Sequence, residues 1–498
     1  MTVDPRTPVL VGVGQVLQRP ATTAESAAPA ELMARAIRLA ADDTGAGDGL
    51  LRHLDSLQVV DQLSWRYPNA AAEVARVAGV EPRETVGTTV GGNTPQTLVN
   101  RAASAIAAGQ VDVVVICGGE AIYSRTIARK TGGRLPWTTQ DSVAPPDRVV
   151  GDNRPGTSDG EQRRSLLLPT QVYPLFECAL RTAAGETIDE HQIRVSELWA
   201  RFSDVAATNP FAWSPTALTA EEIRTVSLSN RMVGFPYTKL MNANLQTDQA
   251  AALIVCSASA ASAARVPTER WVFPWAGSDA HDHWFVSDRR DLHSSPAIKA
   301  CGRAVLALSG LAADDVTYVD LYSCFPSAVQ MGANALGLRW DDPGRPLTVT
   351  GGLTFGGGPG NNYVSHSIAT MVERLRADPS AHGLITGLGW FATKHSAGVY
   401  SASPPPAGFR HAPVQAEVDA QPSRALAAEY VGPVTVETWT VIYERDGEPA
   451  LGIVAGLTAA GQRAWANTRQ PDLMKALTVE DVAGRTATFR ADGEPEFD

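Results

Sequence analysis

The chain has 498 residues, 44% hydrophobic and 19% charged, with a net charge of −11 and a pI near 5.4. That size and composition predict a globular protein of several domains and exclude a disordered or fibrous chain. The acidity argues against nucleic-acid binding, and no apolar run approaches the roughly 18 residues of a membrane span.

The N-terminus carries Asp4 and no basic region, so it does not read as a secretory signal. Val9–Val16 is an apolar strand pattern. A helical pattern follows over Glu31–Leu39, then a short strand over Ser56–Val60. The pair Gly91-Gly92 precedes a helix over Thr97–Ala108, a buried strand over Val111–Ile116 and the pair Gly118-Gly119.

The same series returns further along. Trp271–Trp275, Ile298–Leu308, Val316–Leu321, Gly351-Gly352, Ser365–Leu375, Gly383–Ile385 and Gly387-Leu388-Gly389 repeat it at an offset of about 260–272 residues. Strands alternating with helices in two copies predict a duplicated, layered α/β core. Residues 1–120 and 240–268 make one half and 269–403 the other. An insertion, 121–239, carries helical patterns over Tyr173–Ala183 and Asp189–Ala206, and the first half resumes with the strand Ala251–Cys256.

The stretch at 401–413, with Pro404-Pro405-Pro406, reads as a linker. Beyond it, strand patterns at Val434–Tyr443 and Ala450–Leu457 flank the turn signal Asp446-Gly447. They predict a separate small β domain over 410–498, an OB-like barrel filled by Val434, Val436, Trp439, Val441, Ile453 and Val454.

Several segments resemble the thiolase fold in order and spacing. The run Gly92 to Gly109 is similar to the thiolase nucleophile loop and its helix. Asn242-Ala243-Asn244 with Asp248 resembles the NAS…NDGAA segment. Tyr322-Ser323-Cys324-Phe325 stands where thiolases carry NEAF, or HDCF in the sterol-carrier type, and Gly351 to Pro359 lies on GG…GHP. The tail resembles the small domain appended to a thiolase-like subfamily labelled acetyl-CoA acetyltransferase. The resemblance covers about residues 1–400 and implies a thiolase fold, an acyltransferase-like site of lipid metabolism, coenzyme A or acyl-CoA as ligand, and a homodimer that the extra domain can block.

Carried over residue by residue, the resemblance leaves gaps. Gly92 occupies the nucleophile position, Gly358 that of the activating histidine and Gly387 that of the second cysteine. A glycine supplies neither thiolate nor base, so conventional thiolase activity is expected to be absent. Asn93 or Thr94 should cap the helix, with Pro95 in its first turn. Cys324, Tyr322 and His395 remain as catalytic candidates, Tyr322 as an oxyanion donor. Each also has a structural reading: small buried hydrophobe, strand-end tyrosine, loop histidine. His366 lines or caps the helix after the glycine-rich loop.

Residues 121–164 hold eight Lys/Arg against five Asp/Glu, which suits an anionic ligand. Arg163, Arg164, Asn242, Asn244 and Gly92 are the candidate contacts for the coenzyme, which would not be held covalently. His281-Asp282-His283 reads as exposed loop and not as a metal site, because no third ligand accompanies it. Gly356 to Gly360 does not match a dinucleotide loop. The five cysteines form no CxxC pair, which predicts a reducing, cytoplasmic setting. Three functions follow: a non-covalent acyl-CoA-binding protein, an acyltransferase or C–C bond-forming enzyme with a rearranged site, or a scaffold recruiting a partner through the tail.

Overall fold

A computed structural model describes residues 3–140 and 143–497. The duplication is visible in strand order. In the first sheet Pro8–Leu17, Asp248–Ser257, Val113–Ala121 and Ser56–Val59 lie side by side, followed by Glu84–Thr88 and Arg148–Val150. In the second, Phe273–His281, Lys394–Ser401, His382–Gly389 and Tyr318–Asp320 take the same order with the same parallel and antiparallel pairings. The central strands Val113–Ala121, Asp248–Ser257 and Lys394–Ser401 are buried along their whole length. They therefore read as continuous apolar or small-residue runs rather than as alternation.

The layers follow from which faces are apolar. Helices Thr94–Ala107 and Tyr363–Ala377 contact strands of both sheets and fill the space between them. Pro29–Asp43 covers the outside of the first sheet and Pro296–Ser309 the outside of the second. The sheets meet where Leu10 and Val272 exchange backbone hydrogen bonds of 2.7 and 3.0 Å.

The end of the expected linker is a strand. Arg410–Pro413 forms a parallel strand on the edge of the second sheet, with Arg410 opposite Ala276 and Pro413 opposite Asp279. The start of the tail thus continues the core sheet instead of standing apart. Pro413 is its last residue, and an edge position leaves the missing donor harmless.

The rest of the tail is antiparallel, in the order Arg463–Thr468, Pro449–Leu457, Gly432–Tyr443, Thr486–Phe489, Pro495–Phe497. These pairings leave an open sheet where a barrel was expected. Met232–Gly234 and Tyr237–Thr238 of the insertion belong to the same sheet through Ile442 and Gly234. Val434, Val436, Trp439, Val441 and Val454 form one apolar cluster with Cys178 and Phe235 of the insertion. Ile453 faces the main core instead, since neighbouring residues of a strand point to opposite sides. The tail is pinned by charge as well. Arg463 is fully buried, paired with Glu437 at 2.7 Å and donating to the carbonyls of Val286, Ser287 and Arg289. Arg181 holds Asp481 with two bonds of 2.8 Å.

Candidate functional site

Three loops converge on Gly92: its own, after Glu84–Thr88; Tyr322–Phe325, after Tyr318–Asp320; and the turn that ends His382–Gly389. The last two follow neighbouring parallel strands, whose C-terminal ends are where open α/β sheets place ligands. A β-carbon on Gly92 would lie 2.2 Å from the Tyr322 hydroxyl and 2.6 Å from the Leu388 carbonyl oxygen. Tyr322 therefore fills the space a side chain at position 92 would need. Its backbone N–H donates to Thr386 Oγ1 at 3.0 Å and its ring meets Tyr363 edge-on. Burial, with Cys324 and Tyr363 nearby, pushes the phenol far above its usual range, so it keeps its proton and can act only as a hydrogen-bond donor or acceptor.

Gly387 is equally tight. A β-carbon there would be 2.5 Å from Ser396 Oγ and 2.9 Å from the Asn93 Cα. Tyr322, Gly387, Leu388 and His395 enclose a void of only about 10 Å³, about one water's worth. Gly358 belongs to a different contact. Its N–H donates to the Asn244 carbonyl at 2.9 Å, and Asn244 N–H donates to Leu353 at 3.0 Å. Asn242 donates to the Thr238 carbonyl, and its buried Oδ1 has no partner.

The structure does not arrange the catalytic candidates as a relay. Cys324 is buried, and burial outweighs the hydrogen bond with Tyr173 to push its thiol up to about 12. His395 lies 3.2 Å from the buried Asp282 and 3.0 Å from the Ala392 carbonyl. Asp282 is fully buried, yet His395, Arg289 and Ser295 hold its carboxyl below the usual range. His366 sits inside its helix, bonded to Gln15 at 2.8 Å, and burial drops it to about 3. Arg163 pairs with Glu429, and Arg164 lies against Gly493 while its carbonyl accepts from Asn467, so both face the tail. Among the described residues no group of three metal-ligating side chains gathers. Asn93 takes the cap position without capping through its side chain; Thr94 Oγ1 instead donates to Gly91 at 2.8 Å.

Sequence reasoning missed the groups that shape the loops. Asp320 accepts from Thr348, Val349, Tyr363 and Ser367. Asn361 bridges Gly91 N–H and the Asp61 carbonyl. Tyr173 bonds Trp390 and Ala392, holding a turn in which both have positive φ. Lys394 was visible only as the neighbour of His395.

The fold and these loops define a thiolase-fold protein. A family model described as the thiolase-like protein type 1 additional C-terminal domain matches residues 413–494. The structure of a monomeric SCP2-thiolase-like protein type 1 from Mycobacterium smegmatis shares 33% identity over 99% of both chains, with a TM-score of 0.83. The Ltp2–ChsH2(DUF35) aldolase shares 19% over 80% of this chain and 98% of that one, with a TM-score of 0.59. The dimeric peroxisomal thiolase of Saccharomyces cerevisiae shares 15% over the same fractions, with a TM-score of 0.55. No curated protein matches. The chain belongs to the SCP2-thiolase-like proteins of type 1.

Proposed function

We propose that this protein binds coenzyme A or an acyl-CoA without forming an acyl-enzyme. The carrying observation is Gly92, whose side-chain direction is taken by the Tyr322 hydroxyl. Cys324, the cysteine next to that tyrosine, is held as a thiol by burial and has no adjacent base. Support for the ligand comes from the insertion, where Arg125, Arg129, Lys130 and Arg134 are exposed. They take the role expected of Arg163 and Arg164, which are engaged with the tail. The free, buried cysteines fit a reducing cytoplasm.

Calorimetry of the full chain with coenzyme A and acetyl-CoA, with intact-mass measurement, tests both halves. Binding without added mass is expected. Absence of binding overturns the ligand; acetyl on any cysteine overturns the chemistry.

A second reading is C–C bond chemistry in which the Tyr322 hydroxyl hydrogen-bonds an oxyanion. It is favoured by the protonated phenol beside Gly92 and by the aldolase relative. Tyr322→Phe separates the two: it leaves ligand binding within a few fold under the first reading and abolishes turnover under the second.

A further inference from the structure

Among the described residues, Lys394 is a buried cation without an ion-pairing carboxylate. Of the five lysines, Lys130, Lys239, Lys299 and Lys475 are exposed, while Lys394 is 5% exposed. Its ammonium donates to the carbonyls of Val90 at 2.8 Å and Asp152 at 2.7 Å. Among the described residues no carboxylate forms an ion pair with it. The Asp152 carboxylate is paired with Arg154 at 2.7 Å. Asp279 is taken by Thr97, Asn100 and His411, and His395 by Asp282. His281 contacts Arg154. Charged side chains are rarely buried without an opposite charge, because desolvation is then uncompensated.

Lys394 lines a solvent-open cleft of about 190 Å³ beside Trp284 and Thr94. The Trp284 and Trp390 rings lie 5.6 and 5.9 Å from its ammonium. Thr89 Oγ1, on the same cleft wall, is buried, has no hydrogen-bond partner and can donate to an anion. Burial, with Arg154 adding to it and Asp152 opposing, lowers the ammonium to about 8.

We infer that this cleft binds a short carboxylic acid, whose carboxylate supplies the counter-ion of Lys394. The volume is below the roughly 300 Å³ at which drug-sized pockets begin, which limits the ligand to a few carbons. A single ammonium supplies one positive charge, which balances a monoanion and leaves a dianion half compensated. The inference is independent of coenzyme A binding.

The full-length protein is titrated with sodium propionate, sodium butyrate, propionamide and inorganic phosphate at constant ionic strength. Propionate and butyrate are expected to bind roughly tenfold or more tightly than the amide or phosphate. Their affinity falls as pH rises through about 8, where Lys394 loses its charge. Lys394→Gln weakens the acids by the same factor. If that variant does not fold, acetylation of the wild-type chain provides the readout: butyrate slows modification of Lys394 and not of the four exposed lysines. Equal binding of acid and amide, tighter binding of phosphate, or unchanged labelling overturns the inference.

Discussion

Gly92 and Tyr322 are 230 positions apart in sequence and in direct contact in the fold. Gly92→Ala places a methyl against a hydroxyl and a backbone carbonyl, and overpacking of this kind destabilises by about 1–3 kcal/mol. Urea denaturation measures it, and Gly92→Ala with Tyr322→Phe recovers part of the loss. Glu120 offers a test by pH. It is buried, accepts from the Leu63 and Ser64 N–H groups, and burial pushes its carboxyl up to about 7 from 4.5. The native state therefore holds a proton that the unfolded chain releases near 4.5. Stability from this group is complete below that value, falls as pH rises, and is lost above about 7. Denaturation at successive pH values should show wild type losing more stability over this window than Glu120→Gln.

At the scale of elements, the helices and buried strands were legible because their periods are written locally. Thr97–Ala108 was expected and Thr94–Ala107 is found; Val434–Tyr443 was expected and Gly432–Tyr443 is found. What was not legible depends on partners. Arg410–Pro413 is a strand only because Phe273–His281 lies beside it. The glycines were readable, but not that the Tyr322 hydroxyl packs against Gly92. Lys394 gave no signal beyond being one of five lysines, since burial and the absence of an acid are tertiary facts. The tail's sheet gives the prediction proper to this scale. Trp439 is fully buried and donates to the Leu477 carbonyl at 2.7 Å. Trp439→Ala should cost about 3–5 kcal/mol, read as a shifted denaturation midpoint.

For the whole molecule, two sheet edges are very short strands: Arg148–Val150 beside Glu84–Thr88, and Arg410–Pro413 beside Phe273–His281. Edges this short present little backbone to another copy. We expect sedimentation to show a single species of 52.7 kDa, in keeping with the monomeric relative; a dimer at micromolar concentration contradicts it. Arg463 carries a consequence for how the molecule comes apart. Its guanidinium belongs to the tail, but three of its acceptors are carbonyls of the 286–289 loop in the second half. Detaching the tail alone would strip an arginine and an apolar face of their partners while the core stayed folded. Scanning calorimetry should therefore record one heat-absorption peak rather than two, and a protease cutting near 402–408 should release no folded tail fragment.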